Sequence, residues 1–579
     1  MSTLQHQKKF PVWQMSVISL IRFAEPISFT SLFPYVYFMV RDFNVAEDPA
    51  EISRYTGYLA AAFSLAQFCC CIQWGRLSNR IGRKPVLITG LVGSAISLLI
   101  FGFATNFYVA MGARAMMGAL NGNMAVIQTT VGEIATERSH QTIAFSILPL
   151  LWNVGCVFGP LIGGSRFLTR PKASTMSTPY VSSYEKSLGN SYESFLDNHP
   201  YALSNIAVAV LLCFSAIICF LFLEETEHSA SKRYDAGILI GDQIRSKFGF
   251  TVPFRSWKMT EADCQMQANM GGSTDGTFSN ETTPMLPSPT GDSSQACNDL
   301  EDGSDKPVAF LSRRSSIAIA RRYSTPLSNQ LIPTNISSSG LNGISETLAY
   351  SQVFTNKVKG PILANFTLAF HFLIFNEFVP VLLAGTFQDG SLKFPFHLRG
   401  GFSWKSPDIG SLLSSTGLAG CFFIMVVFPF LDRHLKTIYG FRFACLLFPI
   451  SYLLLPYLAF LLPEHNPALQ PWVSTVCIYF CAALTVLGSS LAYPQVTILI
   501  YRATNPSHRA LVNSSAMSAT SLARFLAPLL FGSLMSHFDG KGLGSVPWNL
   551  LALIALMAAV LAFQLEEHDE DVDDNVDTS

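Results

Sequence analysis

The sequence predicts an all-α polytopic membrane protein: twelve transmembrane helices in two six-helix bundles, joined by a long disordered central loop. Three observations carry this. Hydrophobic residues make up 49% of the 579-residue chain and charged residues only 13%, about half the charged share of a soluble protein. Apolar runs of spanning length, about 20 residues, recur in two groups of six. Between the groups, residues 225–356 are polar, rich in Ser, Thr, Asn, Gly and Pro, and without apolar period.

The first group lies at 14–40, 54–74, 85–104, 107–131, 142–167 and 201–223, within an N-terminal bundle over 1–224. The second lies at 358–386, 408–430, 438–462, 470–499, 510–535 and 547–565, within a C-terminal bundle over 357–565. These are spans 1 to 12. The 225–356 stretch cannot bury a core and reads as a disordered linker. Residues 566–579 read as a solvated acidic tail. No cleavable signal peptide is expected, because the N-terminus is polar through Lys9 and the first apolar run is too long.

Net charge is -1, so nothing global points to nucleic acid, and the basic residues matter through placement. The loop after span 2 holds Arg76, Arg80, Arg83 and Lys84; others near span ends are Arg138, Arg433, Lys436, Arg442, Arg502 and Arg509. By the positive-inside rule these loops face the cytoplasm, as do both termini and the linker. The sequons at Asn280 and Asn335 are then unused. Ten of the 12 cysteines sit in apolar runs, and Cys264 and Cys297 in the linker. None has zinc-ligand spacing, so they read as packing residues and no metal site is expected. Nor is there a nucleophile–base arrangement or phosphate-binding glycine loop, which argues against an enzyme and against any cofactor beyond a proton gradient.

The halves look like diverged copies. Ala135-Thr136-Glu137-Arg138-Ser139-His140 is echoed by Ala503-Thr504-Asn505-Pro506-Ser507-His508. His140 precedes Pro160, and His508 precedes Pro528, by the same 20 positions. Likewise Glu25 precedes Pro34, and His371 precedes Pro380, by nine. Parallel repeats of this kind build many transporters.

Ionisable residues inside a bilayer are costly and are functional candidates. Glu25 lies in span 1, with Arg22 three residues earlier on the same helical face. Arg114 lies in span 4, His371 and Glu377 in span 7, and Arg524 in span 11. Glu25 is either a proton-exchanging carboxylate or half of a structural pair with Arg22 or Arg114. His371 either meets substrate or proton at the depth of Glu25, or bonds a neighbouring carbonyl. Gly488, Tyr493, Pro494 and Gln495 interrupt span 10, and Asn121, Asn123 and Gln128 place polar groups in span 4; they line a cavity or bond between helices. In the linker, Arg-Arg-x-Ser strings mark Ser315, Ser316 and Ser324 as kinase targets.

The string Gly75-Arg76-Leu77-Ser78-Asn79-Arg80-Ile81-Gly82-Arg83-Lys84-Pro85 resembles the loop between helices 2 and 3 of the major facilitator superfamily. Gly75 and Gly82 permit its tight turn. Arg80, Arg83 and Lys84 are expected to pair with carboxylates or helix ends of the neighbouring bundle, which the resemblance implies would latch one alternating-access state. Asn79 stands where the family usually has an acid, which weakens a charge latch. Asp432-Arg433 is the reduced counterpart in the second half. Gly155-x-x-x-Gly159-Pro160-x-x-Gly163-Gly164 resembles the antiporter motif of the drug:proton branch, and Arg114-x-x-x-Gly118-x-x-x-Gly122 that family's fourth-helix motif. Arg22-Phe23-Ala24-Glu25-Pro26-Ile27 is similar to the opening of the fungal and plant zinc-induced-facilitator-like group. The resemblance implies a multidrug-type antiporter, acting as a monomer in the plasma or vacuolar membrane. It would export a small organic molecule, drug or metal chelate against protons through a cavity between the bundles. Glu25 would be the protonation site, His371 would face it, and Arg114 would couple protonation to substrate. The alternatives are a uniporter or proton symporter, and a non-transporting receptor or scaffold whose output is the linker.

Overall fold

In the computed structural model the chain is described over residues 10–121, 123–134, 138–171, 195, 198–227, 230, 233–250, 252, 353–388, 392–504 and 509–567. Each of the twelve predicted spans coincides with a helical segment. Among the described residues, eight helices are each long and apolar enough to cross a membrane, and the bent span 2 makes a ninth.

The departures from regular helix have local causes. Span 1 is Val12–Thr30 followed by Val36–Asp42, not one helix over 14–40. Pro34 lacks the N–H that would bond back to Thr30, and the intervening turn tightens through Phe33 N–H to Thr30 O and Tyr35 N–H to Leu32 O. Span 4 breaks between Phe107–Leu120 and Asn123–Ile134. The carbonyls freed near that break are satisfied from span 2: Trp74 Nε1–H donates to Ala119 O at 2.6 Å and Gln67 Nε2–H to Asn121 O at 3.3 Å. Lipid offers no such partner, so the neighbouring helix must. Span 8, Ser406–His434, includes a π-helical turn at Phe423–Val427. Span 10, by contrast, runs unbroken as Pro471–Arg502 through Pro494, so the interruption expected there does not occur.

The linker expectation is corrected at its start. Ala236–Lys247 is a helix packed against span 6, Ala202–Phe222. Its start is set by Asp235, whose side chain accepts from Ile238 N–H at 3.1 Å. Composition across 225–356 hid this short segment.

Span 2 packs along span 11, and span 5 along span 8, so these pairs join the halves. The loop carrying Arg76 to Lys84 marks one end of the molecule, the basic end. The halves meet closely toward the opposite end. Gly164 approaches Gly410 so nearly that a Cβ on either would stand 2.8–2.9 Å from the other's Cα. Gly532 stands equally close to the Ser53 carbonyl. One buried apolar cluster crosses this boundary, joining Tyr35, Val36, Met39 and Leu59 of the first half to Phe378, Phe531 and Trp548 of the second. A second cluster, including Ile18, Ile21, Leu87, Val126 and Leu212, stays within the first half.

Candidate transport site between the halves

Arg114 and Glu377 are two buried charged groups that come from opposite halves and feel one another's charge. Arg114 stands seven residues from Phe107, where span 4 begins at the opposite end (114 − 107 = 7), and Glu377 seven from Ala384, where span 7 ends there (384 − 377 = 7). At 1.5 Å per residue both lie about 10 Å in. Both are buried, Arg114 at 3% and Glu377 at 5% exposure. Arg114 and Arg524 each exert an attraction on the Glu377 carboxylate. Glu377 Oε2 and Arg114 Nε have no hydrogen-bond partner, so the halves hold charge that neither fully satisfies. Such groups are retained at a cost.

Arg114 owes its place to Gly118, one turn on, whose Cα side abuts the Phe63 backbone. That close crossing lays the guanidinium over the Phe63 ring at 4.7 Å and within 6.0 Å of Phe29. Nearer the middle of span 1, buried Arg22 and half-buried Glu25 form an ion pair at 2.6 Å, and Arg22 lies 4.9 Å over Trp152. Phe29 contacts both Phe63 (5.6 Å) and Trp152 (6.5 Å). An aromatic wall of Trp152, Phe29 and Phe63 thus joins the two arginines. No sequence motif singled these rings out; their types are commonplace, and only the crossing of spans 1, 2 and 5 lines them up.

Of the structural alternatives weighed for Glu25, the pair with Arg22 forms. His371 does not face Glu25. It is buried within the second half, its Nδ1 3.0 Å from the Tyr452 hydroxyl and its ring 4.9 Å from Phe448. Spacing along the chain does not fix which face of a helix a side chain occupies. Arg524 is exposed and reaches Glu377 only by charge.

The basic loop is also arranged differently from the expectation of a partner in the other bundle. Arg83 pairs with Glu133 at 3.0 Å and Glu227 at 2.9 Å, and Lys84 with Asp235 at 2.6 Å. The Glu225 carboxylate accepts from the backbone N–H groups of Arg83 and Lys84 at 2.8 and 3.1 Å. Every one of these partners lies in the first half or in the segment that follows it. Gly82 has φ +110, and a Cβ there would overlap Glu225, so the turn needs glycine. Asn79 Oδ1 accepts from Arg83 and so positions the arginine without a charge. Arg76 and Arg80 are exposed, as is Arg433 beside Asp432.

The glycine string in span 5 packs on span 1. Gly155 abuts Pro26, Gly159 abuts Thr30 and Ile27, and Gly163 abuts the Ser31 carbonyl. Gly164 and the Pro160 carbonyl instead touch Gly410 of span 8. One face of the motif therefore binds its own half and its last turn the other. Ser315, Ser316 and Ser324 lie outside the described residues, and among the described residues there is no His/Cys/Asp/Glu group able to hold a metal ion.

A family model described as Major Facilitator Superfamily matches residues 18–458 and 362–577. The chain is 33% identical over 563 residues to the Aspergillus fumigatus "Major facilitator superfamily multidrug transporter mfsB", covering 96% of this chain and 84% of that protein. It is 30% identical over 223 residues to the Arabidopsis thaliana "Protein ZINC INDUCED FACILITATOR-LIKE 1", covering 38% and 44%. The crystal structure of the human organic anion transporter MFSD10 aligns with a TM-score of 0.50 at 15% identity, over 96% of this chain and 100% of that one, which speaks to the fold alone. Two bundles of six spans that meet along spans 2 and 11 and spans 5 and 8, a family model across both halves and a near full-length relative identify the chain as a multi-pass membrane transporter of the Major Facilitator Superfamily.

Proposed function

We propose that the protein exports a small organic molecule, drug or metal chelate in exchange for protons, by alternating access between the two halves. The observation that carries the proposal is Glu377: a buried carboxylate with one oxygen unpartnered, facing Arg114 across the boundary between halves. Protonating it removes the attraction that ties the halves at that depth. Cargo and proton then compete for the same carboxylate opposite Arg114, which is the logic of exchange. The aromatic wall beside it offers flat apolar surface to an organic cargo. The names of the two relatives, one a multidrug transporter and one of a zinc-induced facilitator type, support the cargo class. The closure at the opposite end belongs, in this reading, to the stage of the cycle in which cargo enters from the basic end. In this reading the basic end, both termini and residues 225–356 face the cytoplasm, and the protein works as a monomer in the plasma or vacuolar membrane.

The test is proton movement in sealed proteoliposomes, with a panel of drugs, organic anions and zinc chelates, for wild type, Glu377→Gln and Glu25→Gln. Proton flux that runs opposite to the cargo and that Glu377→Gln abolishes establishes exchange, whereas flux in the same direction makes the protein a symporter. Cargo movement without proton flux in every variant makes the protein a uniporter and overturns the proton role.

A further inference from the structure

The helix Ala236–Lys247 lies across the end of span 6 instead of continuing it. Gly237 abuts the Phe220 carbonyl and Gly241 the Leu221 carbonyl. Four residues along one helix, about 6 Å, correspond to one residue along the other, about 1.5 Å, so the two cross steeply. Span 6 ends at Phe222, where the apolar run leaves the bilayer. The crossing helix therefore runs along the membrane surface. Lys84 fixes its start through the Asp235 ion pair, and Arg245, 4.3 Å over the Trp13 ring, fixes its end against span 1.

Its outer side is apolar and basic together. Ile240 is exposed, and Tyr234 at 73%, Phe248 at 76% and Phe250 at 58% flank the helix. Arg233 and Lys247 are exposed at its two ends, while the acids Asp235 and Asp242 are turned inward, the first toward Lys84 and the second buried. Exposed aromatic side chains at headgroup depth, bracketed by cations with the acids withdrawn, match an anionic lipid surface: rings in the acyl boundary, ammonium and guanidinium on phosphate.

We infer that the segment 233–250 is a lipid-recognition surface, which binds anionic phospholipid headgroups of the protein's own bilayer through Arg233 and Lys247 and seats Ile240, Phe248 and Phe250 among the acyl chains. It positions the segment that follows the first half on the membrane, with Lys84 and Glu225 connecting it to the loop after span 2.

The experiment places a photo-crosslinking benzoylphenylalanine at Phe248 in the full-length protein, reconstituted in nanodiscs of phosphatidylcholine with or without phosphatidylglycerol. Both leaflets have the same composition, so the readout is independent of orientation, and it needs no transport activity, so it stands apart from the proposal of proton exchange. We expect a phospholipid adduct whose yield rises in the anionic discs, and which Arg233→Gln with Lys247→Gln lowers by about five-fold per charge removed. Equal yield from both lipid mixtures, or yield unchanged in the charge variants, overturns headgroup recognition. An adduct to residues 253–352 of the same chain in place of lipid overturns the choice of occupant.

Discussion

Replacing Gly57 by alanine should open the end of the molecule that is closed here. Gly57 on span 2 faces span 11. A Cβ there would overlap the Pro528 carbonyl oxygen and stand 3.3 Å from both its carbon and the Gly532 Cα. All of these are backbone atoms, so no side chain can rotate away and the helices must part. Overpacking of this kind costs about 1–3 kcal/mol, and here it acts only while the helices touch. The ratio of closed to open forms then falls about 5- to 150-fold. The Asp48–Arg399 ion pair bridges the same end at 2.8 Å, but its side chains are 42% and 37% exposed. A pair so exposed contributes about 0.2–1 kcal/mol, less than the helix contact. The assay is electron–electron resonance between spin labels introduced bio-orthogonally at the exposed Glu47 and Lys541, in wild type, Gly57→Ala and Arg399→Gln. A long-distance population should grow strongly in Gly57→Ala and little in Arg399→Gln. If Arg399→Gln widens the distances and Gly57→Ala leaves them unchanged, charge and not packing holds this end shut, and the reasoning fails.

Glu377→Gln, nearly isosteric, should reduce proton-coupled transport at least ten-fold in the vesicle assay, because it leaves Arg114 buried without its opposing charge; full activity would remove Glu377 from the mechanism. His371→Phe should lower stability by about 1–3 kcal/mol, read as the melting temperature in detergent, since it strands the buried Tyr452 hydroxyl, while transport per folded molecule is retained. Loss of transport with unchanged melting would restore His371 to the site. Asp235→Ala should cost about 3–5 kcal/mol of local stability by leaving buried Lys84 unpaired, seen as faster hydrogen exchange over 236–247 with span 6 protected. Uniform exchange across both would mean the surface helix is held by packing alone.

The spans were legible because the signal is local: a run of apolar residues long enough to cross a bilayer declares itself without reference to anything distant. The break in span 1 was legible in hindsight, since Pro34 was in view, whereas Pro494 is an equal breaker on paper that span 10 absorbs. The Ala236–Lys247 helix was missed because its amphipathic face is short and its neighbours are polar. Site residues divided differently. Arg22, Glu25, Arg114 and Glu377 stood out as charges where lipid tolerates few. Their partners were another matter.

His371 and Glu377 show the limit. Both sit on one helix, six residues apart, which at about 100° per residue turns them onto different faces. Sequence gives position along the axis, and the rotation of the helix about that axis comes from how it packs. The same holds for Arg83 and Lys84: their number and spacing marked a loop at a membrane surface, but partners at Glu133, Glu227 and Asp235 depend on where span 4 and the segment after span 6 come to rest. The sequence by itself determined the membrane class, the twelve spans, the two-fold repeat and the list of costly charges, because each follows from transfer free energy and from local order along the chain. The tertiary structure alone decided that Arg114 and Glu377 feel one another's charge across the halves, that Glu25 keeps to Arg22, and that one end is shut by glycine-lined helix contacts. Those outcomes depend on which faces of distant helices meet, and side-chain reach of a few ångströms makes that choice all or nothing.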